Sequence, residues 1–374
     1  MITPRPFCSV IVPARDAAGL LPRSLGALRN SDLPREQWEL IVVDDGSADE
    51  TAAVAARYAD TVVRLPGRAH GPAYARNRGF EVSRGSIVMF FDADVVVHPD
   101  AVRRFAEVLT AEEDVGAVFG SYDDRPSAPG FMSQYRNLLH HHVHQQNPGD
   151  SETFWAGAGA VRRDVFAECG MYDEWHYGRP QIEDIELGGR IRAHGWRILL
   201  RPEIQATHLK QWTFTNVVRT DLRDRGIPWA RLLAHRGSTL AGGTLNLKLT
   251  EKVNTVLVWL AGLLLVLAPF IGGTPLAWAA LGCIAIVCIN SRRLFAFFLR
   301  VRGPLFAFGV LPVHLLYYIL NGISFGVGVF LHQMIGAPRQ DPLIEAYAEV
   351  GLERWPPVPT RTPSTWTKSK ERDG

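Results

Sequence analysis

The feature that most restricts this chain is a set of uncharged apolar stretches gathered toward its C-terminal end. Residues 253–271, VNTVLVWLAGLLLVLAPFI, carry no charge over 19 positions, enough for a helix to cross the roughly 30 Å hydrocarbon core of a bilayer. Residues 271–290 form a second uncharged run, weakened by its glycines and Pro275, and residues 304–331 a third. One such run alone would fit a buried core helix; three in succession point to membrane helices. Arg231, Arg236, Lys248 and Lys252 precede the first run, and Arg292, Arg293, Arg300 and Arg302 follow the second. Basic loops are retained on the cytoplasmic side, so the expected topology is in–out–in–out, multi-pass in the cell membrane, with the preceding part of the chain cytoplasmic. Residues 294–308, LFAFFLRVRGPLFAF, are aromatic and basic and are expected to lie partly in the interface. The proline-rich, polar residues 336–374 are expected to be disordered. The expected organisation is therefore a domain at 1–230, a basic juxtamembrane segment at 231–252, a membrane domain at 253–335 with about three spans, and a tail.

Composition matters here mainly for what it excludes. A net charge of +2 gives no basic character that would argue for a nucleic-acid partner. The four cysteines, Cys8, Cys169, Cys283 and Cys288, form neither a C-x-x-C pair nor a disulfide-rich pattern, which fits a reduced, cytosol-facing domain. The opening PRPFCSVIVPARDAAG lacks the pattern of a secretory signal.

In the first 230 residues, short apolar runs alternate with helical patterns. Residues 8–12, 39–43 and 87–91 read as strands, and residues 18–30, 49–58 and 73–83 as helices. Such alternation predicts an α/β fold with a mostly parallel, doubly wound sheet, which binds ligands beyond the carboxyl ends of its strands. Asp44-Asp45-Gly46-Ser47 and Asp92-Ala93-Asp94 both fall at such ends. The first could accept hydrogen bonds from a ribose or base, or be an ordinary turn that caps the next helix. The second places alternate carboxylates where a hard divalent cation, Mn2+ or Mg2+, would keep open positions for phosphate oxygens. Arg76 and Arg78 could pair with a diphosphate or form a solvated helix face. Glu183-Asp184 opens an apparent helix, either as favourable first-turn acids or as a general base aimed at an acceptor hydroxyl. A dehydrated cleft would raise the pKa of such a base and the helix terminus would lower it, so the two effects oppose. Trp155, Gly157, Ala158 and Gly159 offer an aromatic face and small side chains for an acceptor sugar, or plain packing. His140, His141, His142 and His144 fan around a helix with no carboxylate to complete a metal site, and are expected to be a polar helix near the cleft or membrane surface.

Taken in order, IVPARD, VVDDGS, ARNRG, FFDAD, WAGAGAVRRDVF and EDIELGGRIRAHGW resemble the family 2 glycosyltransferases of the GT-A (Rossmann-like) fold over roughly residues 8–210. The C-terminal apolar helices make the chain similar to that family's membrane-bound, inverting members. The resemblance implies that Pro13, Ala14, Arg15, Asp16, Asp44, Asp45, Arg76 and Asp92 line the nucleotide pocket. It implies that Asp94, with Asp92 and His208, holds the metal, and that Asp184, with Glu183 beside it, is the catalytic base. The expected partners are a nucleotide-sugar donor, a glycan or lipid-linked acceptor and the bilayer. Two departures stand out. Ala14-Arg15-Asp16 replaces a more neutral triplet, and residues 219–229, RTDLRDRGIPW, lack the Q-x-x-R-W spacing of polymerising relatives. Transfer to a polyprenyl phosphate and a non-catalytic nucleotide-binding membrane protein are the competing expectations.

Overall fold

The computed structural model describes residues 8–236, 248–271 and 273–336. The expected tail beyond residue 336 and the centre of the basic segment lie outside the described residues. The chain begins with β1 (Cys8–Ala14), α1 (Leu21–Arg29), β2 (Trp38–Asp44), α2 (Thr51–Ala55), β3 (Thr61–Arg64), α3 (Pro72–Val82) and β4 (Ile87–Phe91). It continues with β5 (Val95–Val97), α4 (Ala101–Ala111), β6 (Val115–Tyr122), α5 (Phe131–Gln145), β7 (Gly149–Asp150) and β8 (Ala158–Arg162). The α/β part closes with α6 (Arg163–Glu168), α7 (Glu183–Ala193) and β9 (Arg197–His208).

These strands form one sheet in the order β3-β2-β1-β4-β8-β6-β9-β5, with β7 on β9. The half from β3 to β4 is parallel, as the alternation predicts. β8 then enters antiparallel between β4 and β6, and β9 returns parallel to β6. The central strands have unbroken apolar sequences because both faces are covered. Val10, Val12, Leu40, Val42, Met89 and Phe91 face one core with α1 and α4. Ile11, Ile41, Val43, Val88 and Phe90 face the other, with α3, α6 and α7. The alternation of odd and even residues between the two cores is the period of two that a strand imposes. The second helix is shorter than the pattern suggests: its regular part is Thr51–Ala55, and residues 49 and 50 form the turn that leads in.

Beyond β9 come α8 (Phe214–Arg219), a π-helical turn (Thr220–Gly226) and α9 (Ile227–Arg236). They are followed by α10 (Leu249–Leu267), α11 (Thr274–Asn290), α12 (Arg292–Arg302) and α13 (Pro304–Ile335). By length and composition α10 and α13 could each cross a membrane, and α11 qualifies only together with α12, from which it is bent by 67°. α10 and α11 pair through Ala261, Ala280 and Cys283 and turn Val256, Leu263, Val266, Trp278 and Ile289 outward. α12 buries Leu294, Phe297 and Phe298 against Tyr135, Leu138 and Leu139 of α5, so its aromatic face is covered by protein.

Helix α3, which carries Arg76 into the cleft, is pressed onto the sheet at Gly79. A Cβ there would stand 2.5 Å from Ile11 Cγ2 and 3.0 Å from Val43 Cγ2. Overpacking of this kind costs about 1–3 kcal/mol. Gly79→Val is therefore expected to lower the thermal midpoint of the detergent-solubilised protein by several degrees, read by intrinsic fluorescence.

Candidate active site

The carboxyl ends of β1, β2 and β4 and the start of α7 converge on one cleft, and Arg76 holds it together. From α3 this buried guanidinium donates through Nη2 to Asp92 Oδ1 at 2.7 Å and through Nη1 to Glu183 Oε1 at 3.0 Å. Its other face lies over the Tyr172 ring, 5.3 Å from the centroid. Burial alone would lower the pKa of Arg76, yet the facing carboxylates raise it, so it remains a fixed cation. Glu183 Oε2 accepts from Gln181 N at 2.9 Å, so both carboxylate oxygens of Glu183 are engaged. Asp92 remains exposed enough to meet a ligand, and burial with the like charge of Asp94 raises its pKa against the pull of Arg76.

Asp94 and His208 form a second unit, with His208 Nε2 3.4 Å from Asp94 Oδ2. Behind it, His208 Nδ1 lies 2.7 Å from Asn137 Oδ1, and its ring stacks on Tyr122 at 4.3 Å. A carboxamide oxygen only accepts, so Nδ1 carries a proton; Nε2 faces Asp94, giving it a proton contact when the ring is protonated and offering a lone pair to a cation when the ring is neutral. Two donors at this spacing suit adjacent positions on one cation, whose bonds to nitrogen and oxygen are about 2.0–2.2 Å. The Asn137 contact is the outer support that orients a ligating histidine. Burial would raise the pKa of Asp94, but His208 and Lys210 bring it below the usual carboxylate value, in keeping with an ionised ligand. Among the described residues no three His, Cys, Asp or Glu side chains gather into a complete metal site. A cation here would have to take its remaining ligands from substrate and water. Asp92, committed to Arg76, is not within that pair.

Asp184 sits one residue into α7. Its Oδ2 accepts from Ala156 N at 3.2 Å and its Oδ1 from Ile185 N at 2.8 Å. Burial, and next the charge of Glu183, raise its pKa to about 6, outweighing the Ala156 hydrogen bond, Arg76 and Arg225. Dehydration is the largest cause of this shift.

The remaining predicted residues divide into two groups. Pro13 and Ala14 end β1 opposite Val43 and Asp44, and Arg15 and Asp16 follow on the exposed rim. Asp16 adopts a φ of 46°, and its Oδ1 accepts from Ala48 N at 2.8 Å while Ser47 Oγ accepts from Asp16 N at 3.0 Å. Asp44 and Asp45 serve the local backbone. Asp44 Oδ1 accepts from Ser47 N at 3.1 Å, and Asp45 accepts from the backbone N–H groups of His70 and Gly71 and contacts His70 Nδ1 at 2.9 Å. Asp45 thus pins the loop before α3, whose Gly71, at φ 97°, has no room for a Cβ beside the Gly178 backbone. Trp155 lines the floor in a ring cluster with Tyr122, His140 and His144. Gly157 and Gly159 are buried and admit the Trp155 and Phe154 rings, and Ala158 pairs with Phe91 in the sheet. His140 and His144 are held neutral by burial, His144 at about 4, while His141 and His142 lie against Phe297 of α12.

Two further cationic residues lie near the carboxylates: Lys210, not singled out from sequence, and Arg225, read there only as one of several arginines in the basic stretch 219–229. Lys210, two residues past His208, interacts with Asp94 and Asp92 and lies 4.4 Å from the Trp212 ring centroid. Arg225, on the π-helical turn, reaches the neighbourhood of Asp184 and Tyr122. Their positions at the end of β9 and in RTDLRDRG are the only sequence signals for them.

This mostly parallel sheet, covered by helices on both faces and carrying these side chains at one cleft, is an α/β domain of the GT-A class. Residues 9–170 match the family model of glycosyl transferase family 2, and the domain belongs to that family. The chain is 25% identical over 210 residues to the probable glycosyltransferase YdaM of Bacillus subtilis, covering 53% of this chain and 49% of that protein. It is 32% identical over 180 residues to glycosyltransferase AglE of Haloferax volcanii, covering 46% and 58%. The chain thus spans about half the length of the curated relatives it matches. Among solved structures, the mannosyltransferase PcManGT from Pyrobaculum calidifontis, in complex with GDP-Man and Mn2+, superposes with a TM-score of 0.55 at 19% identity, over 86% of this chain and 87% of that one. That likeness establishes the shared fold.

The fork gives a direct test. Arg76→Lys keeps the charge but loses the planar two-carboxylate geometry, leaving one buried acid unpaired. Breaking a buried pair costs about 3–5 kcal/mol. Denaturant titration should show a loss of that order, larger than for Arg78→Lys, whose side chain pairs with Glu174 and Glu81 at the back of α3.

Proposed function

We propose that this protein is an inverting glycosyltransferase that moves a sugar from a nucleoside diphosphate to a hydroxyl of a membrane-associated or envelope glycan or lipid. The observation that carries the reading is Asp184: a carboxylate at a helix start, with a pKa raised to about 6, in the same cleft as Asp92 and Asp94. A base poised near the working pH is what proton abstraction from a hydroxyl requires. In the proposed step the acceptor oxygen attacks the anomeric carbon from the face opposite the diphosphate and its proton passes to Asp184. The bond from the anomeric carbon to the diphosphate oxygen breaks with its electron pair, releasing the nucleoside diphosphate. A single displacement inverts the configuration.

Asp94 and His208 fit a divalent cation, Mn2+ or Mg2+, which when bound would neutralise charge on the departing diphosphate. Lys210 and Arg225 add fixed positive charge on the same side. The β1–α1 rim and the loop pinned by Asp45 would hold the nucleoside, and Trp155 would offer its edge to the acceptor. The apolar helices next to this cleft support a membrane-bound acceptor and a location at the cell membrane with the cleft on the cytoplasmic side. A polyprenyl phosphate is a second acceptor class, favoured by the exposed Arg225 beside Asp184. Its phosphate is already an anion, so there the base would be dispensable.

Release of nucleoside diphosphate from a panel of nucleotide sugars, with extracted membrane lipids as acceptor, should be lost with EDTA and restored by Mn2+ or Mg2+. Asp184→Asn should reduce turnover by at least about 100-fold while leaving donor affinity within a few-fold; full turnover on the lipid fraction would instead select the polyprenyl-phosphate reading. Because the raised pKa means the base is ionised only above it, kcat/KM should rise with pH through about 6 and level off. A profile flat from pH 5 to 8 would refute the base assignment.

The His208 support yields a separate expectation. Asn137→Leu removes the acceptor that fixes the imidazole, and such outer contacts are typically worth about 10–100-fold in metal affinity. Mn2+ titration followed by electron paramagnetic resonance should show weakening in that range, with the fold intact by circular dichroism.

A further inference from the structure

The third apolar run makes the longest helix of the structure, and its contacts do not fit a membrane crossing. α13 has 32 residues, about 48 Å at 1.5 Å per residue, against a hydrocarbon core of about 30 Å. Both of its ends touch the glycosyltransferase domain and the helices that leave it. Just before it, Arg302 Nε donates to Gln134 Oε1 at 2.8 Å, and in its first turn Phe306 packs on Phe131 at 4.8 Å. Two turns further His314 Nδ1 lies 3.3 Å from the Tyr135 hydroxyl. In the second half Ser324 Oγ donates to the Asp221 carbonyl at 3.4 Å, and Gly328 lies so close to α9 that a Cβ there would be 2.4 Å from Ala230 Cβ. At its end, Arg231 Nη2 donates to the Gly336 carbonyl at 2.9 Å. A helix that crossed the bilayer would carry one end about 30 Å away from the domain that the other end touches.

The opposite face of α13 is apolar and bare. Leu305, Phe308, Ile319, Phe330 and Met334 are all exposed. Phe308, Ile319 and Phe330 recur every three turns and so form one stripe along the helix. The middle of α13 meets the foot of the α10–α11 hairpin in a polar cluster. There Asn254 Nδ2 donates to Tyr318 Oη at 2.9 Å, the Tyr318 hydroxyl donates to Glu251 Oε2 at 3.2 Å, and Asn290 Nδ2 donates to Asn254 Oδ1 at 2.8 Å. Polar side chains of this kind belong at the level of the headgroups. Lys248, Lys252, Arg292 and Arg293 flank the same foot in sequence and suit an anionic lipid surface.

We propose that α13 lies in the plane of the membrane surface, one face on the glycosyltransferase domain and the Leu305–Met334 stripe immersed at the headgroup–acyl boundary. Only the α10–α11 hairpin enters the bilayer, and both ends of the described chain stay on one side. This replaces the in–out–in–out order expected from the charge distribution with in–out–in. The partner of the stripe is the lipid surface itself, continuous with the hairpin that already penetrates it.

Nitroxide labels placed singly at Phe308, Ile319 and Phe330, in the full-length protein with its four cysteines replaced, would be read in vesicles of phosphatidylethanolamine and phosphatidylglycerol. Collision with oxygen and with a polar nickel complex reports depth. The expected result is one shared depth, within about one helical turn of 5 Å. A steady gradient of more than about 15 Å between Phe308 and Phe330, about 33 Å apart along the helix, would overturn the proposal, as would water-like exposure of all three. The wild-type sequence gives a second readout that does not depend on the cysteine-free variant folding. Full-length fusions in a bacterial host, carrying green fluorescent protein or alkaline phosphatase at either end, should report both termini on the same, fluorescent side. Termini on opposite sides would overturn the proposal.

Discussion

The arrangement of the cleft depends on one buried cation. Arg76 stands between Asp92 at the end of β4 and Glu183 at the start of α7, two segments that are adjacent in space and remote in sequence. Four carboxylates, Asp92, Asp94, Glu183 and Asp184, would repel one another in so confined a space, and removal from water would drive them toward protonation. The fork offsets two of these charges directly. It also determines which acids remain available. Glu183 has both oxygens engaged, Asp92 is held by the fork, and Asp184 keeps a raised pKa because it is buried and, next, because Glu183 stands beside it. Within the adjacent pair the fork engages Glu183 and leaves Asp184, the proposed base, outside its hydrogen bonds.

The aromatic floor works in a similar way. Tyr122 stacks on His208 and is flanked by Trp155 and His140, so the imidazole that faces Asp94 is fixed in plane by a ring and in rotation by Asn137. The histidine run on α5 is not a second metal site. His140 and His144 are neutral packing rings under Trp155, and His141 Nδ1 donates to the Tyr122 carbonyl at 2.7 Å while the ring meets Phe297 of α12. One helix therefore supports the cleft with one side and the membrane-proximal helix with the other. Four consecutive-looking histidines in sequence serve two different environments because a helix turns them apart.

Much of this was legible in the chain. The strands at 8–12, 39–43 and 87–91 were visible because a sheet covered on both faces needs continuous apolar runs, and the last of them ends at Asp92 and Asp94 in the cleft. What could not be read was anything set by a distant partner. The role of Asp45 in pinning His70 and Gly71 depends on a loop 25 residues away, and the division of labour between Glu183 and Asp184 depends on α3. β8 entering antiparallel between β4 and β6 has no local signature, since Ala158–Val161 are small and apolar for packing reasons. Lys210 and Arg225 were hidden because single basic residues in a basic stretch look alike until the fold turns some of them toward carboxylates. Hydropathy also measured only how apolar α13 is. It contains no information about which neighbours cover one face of the helix.

The π-helical turn connects these two levels of organisation. A π-turn widens the helix and leaves backbone groups out of the regular ladder; here Ser324 of α13 donates to the Asp221 carbonyl, and Arg136 of α5 pairs with the Asp221 carboxylate. Gly226 ends the turn where a side chain would collide with Ser324 Oγ, so the backbone of the turn is seated on α13. The same turn carries Arg225, which reaches toward Asp184. Any tilt of α13 relative to the sheet must therefore move a cation near the base. With α13 lying at the lipid surface, the depth at which the protein sits in the membrane and the electrostatics of its cleft are set by the same seven residues.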